Sequence, residues 1–168
     1  MNIEELKLVL LKNNIEDLKK ALSAFTIGEQ DKFGNSILHY YMKHVKDLAY
    51  IPADILSLFL ENGININDRQ KSGKFGYAPL HQAVIINSKD VFDVLTDKKA
   101  DPDVRDENDN TPLFYAVFNY LKDPVNYGHY IRKLLQAGAD PNFNNKHGVS
   151  PLNLAEQIAN SDVRNFFE

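Results

Sequence analysis

Apolar side chains recur along this chain at helical spacing, in short bursts broken by asparagine, glycine and proline. Leu6, Leu8, Val9, Leu10 and Leu11, followed by Ile15, Leu18, Ala21 and Leu22, predict two short amphipathic helices interrupted at Asn13-Asn14. The apolar stretches Leu56-Ser57-Leu58-Phe59-Leu60 and Ile131-Arg132-Lys133-Leu134-Leu135 run into Gly63 and Gly138, where glycine can take the left-handed conformation that ends a helix. Helix starts are equally marked. Ser36, Thr111 and Ser150 can accept from free backbone N–H groups, and Pro79, Pro112 and Pro151 stand where a missing N–H costs nothing. Near the end, Leu152, Leu154, Ala155 and Ile158, then Val163, Phe166 and Phe167, predict a shortened helix pair. Between stop and next start lie turn-forming stretches such as Asn142 to Lys146. Each unit thus reads as helix, turn, helix and a protruding hairpin-like loop, with one apolar face that only a neighbouring unit can cover.

Composition narrows the function. Of 168 residues, 43% are hydrophobic and 25% charged, a balance that supports unaided folding. Cysteine is absent, so no disulfide, thiol nucleophile or thiolate metal site exists. The start, Met1-Asn2-Ile3-Glu4-Glu5, is acidic where a signal peptide is basic, and no apolar run approaches membrane-spanning length. A cytoplasmic protein without a membrane partner is expected. The net charge of −4 argues against a nucleic-acid partner, which calls for a basic surface.

Internal repetition points to the fold. Ala78-Pro79-Leu80-His81 aligns with Ser36-Ile37-Leu38-His39, Thr111-Pro112-Leu113-Phe114 and Ser150-Pro151-Leu152-Asn153. Ala100-Asp101-Pro102-Asp103 and Gly138-Ala139-Asp140-Pro141-Asn142 precede the last two, and Gly63-Ile64-Asn65-Ile66-Asn67 follows the first. These phrases resemble the ankyrin repeat. The resemblance implies an all-α ankyrin-repeat solenoid of helix-turn-helix units with hairpin-like loops. It covers the whole chain as a single domain over residues 1–168: an N-terminal cap at 1–30, full repeats at 31–70, 71–105 and 106–144, and a C-terminal cap at 145–168.

The cap positions 36, 78, 111 and 150 are separated by 42, 33 and 39 residues, against a family unit of about 33. From cap to terminal glycine, Ser36 to Gly63 and Thr111 to Gly138 span 27 residues where Ala78 to Lys99 spans 21, so repeats one and three each carry six extra residues, around Asp47 to Pro52 and Lys122 to Gly128, and the other three of the 42 fall in the loop Lys71 to Tyr77. If the six-residue inserts prolong both helices of each pair, Tyr120, Tyr127 and Tyr130 would form a second contact site. Five residues depart from the family pattern, among them Phe114 and Asn153, which stand where the family has histidine. Lys99 replaces a helix-terminating glycine, at a cost of about 1–2 kcal/mol if the backbone is left-handed. Tyr41 replaces a small alanine, and Asp109 a hairpin glycine.

No catalytic motif is present. The five histidines show no i, i+4 pair, and the acidic run from Asp101 to Asn110 fails as a calcium loop because Thr111 and Val117 stand where glycine and glutamate are needed. Neither a phosphate-binding glycine loop nor a nucleophile elbow occurs. No cofactor, no metal and no enzymatic activity are expected. An active site assembled without a motif would centre on His81 or Asp106.

In the family, fingertips and first helices carry recognition, so the resemblance implies a protein partner bound through particular positions. On the tips these are Phe33 and Asn35, Lys74, Phe75 and Tyr77, and Asn108 and Asn110. On the inner helices they are Tyr40, Lys43 and His44, then Gln82, Ile85 and Ile86, then Tyr115, Phe118 and Asn119. Loop aromatics such as Phe33, Phe75 and Tyr77 have no packing reason to be large, and aromatic residues are enriched in interface hot spots. Free-standing ankyrin proteins of this size in bacteria include inhibitors and immunity proteins that neutralise a toxin. The expectation is a monomer acting by binding alone: a stoichiometric inhibitor or immunity protein, or alternatively an adaptor or effector engaging host proteins.

Overall fold

The computed structural model describes residues 1–72, 75–158 and 161–168, and every regular element among them is helical. Contacts gather the chain into two compact units, Met1–Pro79 and Leu80–Glu168.

Unit one begins with α1 (Ile3–Leu10) and α2 (Ile15–Leu22), separated by Asn13 in the left-handed conformation (φ 55°), which asparagine tolerates. Asn2 caps α1 reciprocally with Glu5: its carboxamide oxygen accepts from the Glu5 N–H at 2.9 Å, and its own N–H donates back to the Glu5 carboxylate at 3.0 Å. Next come α3 (Ile37–His44), which packs on α1, and α4 (Pro52–Glu61), which packs on α2. Leu6, Leu10, Leu18, Ile37, Leu38, Met42, Ile55, Leu56 and Phe59 fill the interior. Tyr41 joins them fully buried, edge-on to Phe59 at 6.0 Å. Its hydroxyl finds no partner, and burial pushes its pKa up.

Unit two contains the rest of α5 (Pro79–Ile85), then α6 (Lys89–Asp97), α7 (Pro112–Phe118), a 3₁₀ turn at Tyr120–Lys122, α8 (Pro124–Gln136), α9 (Pro151–Gln157) and a closing 3₁₀ segment at Ser161–Phe166. α7 packs on α8 and α9, and α6 on α8. Thr111 and Ser150 accept from the N–H groups of Phe114 and Asn153, as their positions predict.

Lys99 adopts the left-handed conformation (φ 65°), so this helix ends as its glycine-bearing counterparts do and carries the strain. Lys99→Gly is expected to raise stability by about 1 kcal/mol, read as a higher midpoint in thermal or urea unfolding. An unchanged midpoint would remove strain as the explanation. Asp109 is likewise left-handed (φ 59°).

The insert expectation needs correction. In repeat one, α3 and α4 have 8 and 10 residues against 7 and 9 for α5 and α6, so most of the extra chain forms the linker Val45–Ile51. In repeat three, α7 keeps 7 residues, and the insert becomes the 3₁₀ turn and a lengthened α8 of 13. Tyr120, Tyr127 and Tyr130 are buried and cannot form the contact site. Tyr130 lies 4.4 Å from Phe92 and donates its hydroxyl to Asn87, while Tyr120 meets Phe166 edge-on. Folding the insert inward buries more apolar area than projecting it would.

Candidate functional site: hairpins and inner helices

A single polar device builds three of the hairpins. Asp31 Oδ1 accepts from the N–H groups of Phe33 and Asn35, Asp106 Oδ1 from those of Asn108 and Asn110, and Asn145 Oδ1 from those of His147 and Val149. The residue immediately before each helix cap accepts at its carbonyl from the first residue's N–H, as in Asp31 N–H to Asn35 O and Asp106 N–H to Asn110 O. Histidines tie two loops, those ending at Tyr77 and Asn110, to the preceding helix. His39 Nε2 lies 2.8 Å from the Tyr77 carbonyl and His81 Nε2 2.9 Å from the Asn110 carbonyl, which requires the Nε2–H tautomer in both. In His39 the other nitrogen faces the Ser36 hydroxyl at 2.7 Å. Burial pushes the His39 pKa down, outweighing the carbonyl of Tyr77. His39 and His81 thus brace loops, as the resemblance implied.

Two charge clusters stiffen the frame. In unit one, Lys7 Nζ donates to Asp31 at 2.7 Å and to Glu4 at 3.1 Å, with the Tyr40 ring 5.0 Å away. Burial disfavours the Asp31 charge, but Lys7 and the amides of Asn35 and Phe33 outweigh it and hold the carboxyl down to about 2. In unit two, Asp93 meets Lys89, His129 and Lys133. Against the opposing effect of burial, these three hold it down to about 2.

Within this frame the expected contact residues separate. In unit one, Phe33 is 60% exposed, with Lys32 Nζ 5.1 Å above its ring. Phe75 is exposed and stacks on the half-buried Tyr77 at 5.2 Å and 9°. Lys43 is exposed, and half-buried Tyr40 and His44 lie ring to ring at 4.4 Å. Asn35 accepts from Gln70 Nε2 at 2.5 Å and donates to Asp31, so it works inside the hairpin. Lys74 lies outside the described residues.

In unit two, Ile85 and Phe118 are exposed, while Gln82, Ile86, Asn108 and Tyr115 are half-buried. Asn110 and Asn119 require correction, since both are buried. Asn110 donates to Asp106 and accepts from Asn145 Nδ2 at 2.8 Å. Asn119 ends α7, donating to the Tyr115 carbonyl and accepting from Lys122 Nζ. Asparagine at a turn serves the local backbone before it serves a partner.

Asp106 is buried and works inside its own hairpin. Asp106 takes two amides on Oδ1, then Asn110 Nδ2 and the Tyr115 hydroxyl (2.6 Å) on Oδ2, which uses all its acceptor sites. Among the described residues no group of three or more His, Cys, Asp or Glu could hold a metal ion, and no helix is long and apolar enough to cross a membrane.

Exposed apolar residues that the sequence reading does not single out include Leu121 (58%), Val125 (80%), Ile27 (51%) and, in the linker of repeat one, Ile51 (64%). The first two lie in the 3₁₀ turn and at the start of α8, beside the buried Tyr120, Tyr127 and Tyr130 in the sequence.

Repeated helical hairpins, histidine-braced loops and capped inner helices define a repeat protein built for contact. Residues 6–106 and 47–145 match the family model of ankyrin repeats in three copies, and the chain belongs to the ankyrin repeat family. Such repeats are protein–protein interaction modules, in general without enzymatic activity. An ankyrin repeat protein of fowlpox virus is 34% identical over 111 residues, covering 66% of this chain and 14% of the viral protein. Human 2-5A-dependent ribonuclease is 33% identical over 73 residues, 44% of this chain and 10% of the ribonuclease. Neurogenic locus notch homolog protein 1 of Danio rerio is 27% identical over 137 residues, 81% of this chain and 5% of that protein. The chain thus spans no more than 14% of the length of these relatives.

Proposed function

We propose that this chain binds one protein partner stoichiometrically and acts by blocking or sequestering it, as an inhibitor or immunity protein does. The observation that carries the reading is the exposure of large apolar groups on hairpins and inner helices, above all Phe33 and Phe118 at 60% each. Such exposed groups become anchors once a partner excludes water from them. The acidic balance suits a basic partner by steering encounter more than by adding affinity. Phe33, Tyr40, Lys43, His44, Phe75 and Tyr77 are the proposed contacts in unit one. In unit two they are Gln82, Ile85, Ile86, Asn108, Tyr115 and Phe118.

The adaptor alternative draws on the presence of an exposed aromatic set in each unit. Affinity capture with wild type, Phe33→Ala/Phe75→Ala and Phe118→Ala separates the two. An inhibitor should lose the same partner, at 1:1 stoichiometry, in both variants, whereas an adaptor should lose different partners. Capture that neither variant alters would remove these surfaces from the reading.

A further inference from the structure

Asn62–Gly63 is the one place in the chain where asparagine is followed by glycine. Glycine carries no Cβ to shield its own nitrogen, so that nitrogen can approach the carboxamide carbon of the asparagine before it. Asn62 ends α4, and Gly63 follows it in the left-handed conformation (φ 81°). The linkage most open to attack in this sequence is therefore also a joint of the fold.

The folded chain withholds the reaction at each atom it needs. Asn62 Nδ2 donates to the Leu58 carbonyl at 2.8 Å, which holds the carboxamide against its own helix. The Gly63 N–H donates to the Leu60 carbonyl at 2.9 Å, so the proton that must leave is engaged. The Asn62 ψ of 13° nearly eclipses the Gly63 nitrogen with the nitrogen of Asn62, whereas closing a ring requires it to eclipse Cβ. Beyond the joint, the Ile64 N–H donates to the Phe59 carbonyl at 3.0 Å and fixes the chain that follows.

We propose that Asn62 is a self-modification site, held unreactive by the end of α4 and converted to aspartate and isoaspartate once that end opens. The Gly63 nitrogen gives up its proton to water or hydroxide and bonds to Asn62 Cγ, the Cγ–Nδ2 bond breaks, and ammonia leaves. Water then opens the five-membered imide at either carbonyl. Only water is consumed, and no redox partner is needed. Either product places a new carboxylate at the C-terminal end of α4, where the helix dipole is negative. Isoaspartate also adds one carbon to the main chain before Gly63, which shifts the Gly63 and Ile64 N–H groups away from Leu60 and Phe59. The modified joint closes less well, so a reversible opening leaves a permanent mark. This chemistry is independent of any partner the protein binds.

The test incubates the full chain at one pH and temperature, folded in buffer and unfolded in guanidinium chloride. Conversion is followed by mass spectrometry of the tryptic peptide Asp47–Arg69, with fragmentation to separate Asn62 from Asn65 and Asn67. Asn62 should convert first in the unfolded chain and about tenfold or more slowly in the folded one, where opening must come before reaction. Gly63→Ala, compared in the unfolded state where its backbone strain does not count, should slow conversion. The converted protein, resolved by ion exchange and refolded, should unfold at a lower denaturant midpoint than the unconverted. Equal rates in the folded and unfolded chain would overturn the proposal, because the helix end would then give no protection. So would earlier conversion at Asn65 or Asn67, indifference to Gly63→Ala, or a converted protein with an unchanged midpoint.

Discussion

Asp31→Ala is expected to destabilise unit one by about 3–5 kcal/mol, the usual consequence of removing one partner of a buried ion pair. The carboxylate accepts from Lys7 Nζ at 2.7 Å and from the N–H groups of Phe33 and Asn35, and side-chain exposure is 9% for Lys7 and 3% for Asp31. Its loss leaves the lysine with only the exposed Glu4 as partner and strands two hairpin amides. Lys7→Met alone should cost less than Asp31→Ala, because the carboxylate keeps its amides. Urea unfolding of both variants checks the order, and equal losses would mean that the hairpin amides contribute little. The pH dependence has a definite sign. The folded carboxyl lies at about 2 against an ordinary 3.8, so the unfolded chain binds the proton first. The stabilisation is complete above about pH 4 and is lost as pH falls toward 2. Asp31→Asn should flatten the acid limb of the stability curve in that window.

Gly34→Ala should be the most damaging glycine substitution, at about 3 kcal/mol or more, because two penalties combine. Its φ of +75° is one that L side chains resist, at about 1–2 kcal/mol. A Cβ there would also stand 2.1 Å from the Ser72 backbone nitrogen and 2.8 Å from that of Lys71. Relief would require moving the 71–72 segment, which breaks the Lys71 N–H bond to the Gly34 carbonyl. Gly138→Ala is the matched control. Its φ is +96° but no atom lies within 4 Å of the added Cβ, so only the backbone term applies. Comparable losses in the two variants would show that the neighbouring hairpin yields easily.

The helix boundaries and the hairpin device were legible because they are local. Thr111 and Ser150 cap within three residues, and Gly63 and Gly138 end their helices through their own φ. Asp31, Asp106 and Asn145 close their loops on amides two and four residues away. Lys99 illustrates the limit of composition. A residue that disfavours left-handed backbone adopts it because the turn after α6 follows the same course as those ended by glycine.

The candidate site was less legible, since exposure depends on neighbours distant in the chain. Tyr130 was expected at the surface and lies buried against Phe92, 38 residues earlier, while Val125, five residues before it, is 80% exposed. Asn110 and Asn119 were expected to face a partner and instead serve Asp106, Asn145 and the end of α7.

Repetition, capping residues and turn glycines in the amino-acid string were enough to establish a helical-repeat protein, because they act through bonds spanning a few residues. Which aromatic groups form the core and which remain to meet a partner was decided only by three-dimensional packing. Burial is a property of whatever surrounds a side chain, and six inserted residues were free either to fold inward or to project until the surrounding helices took their places.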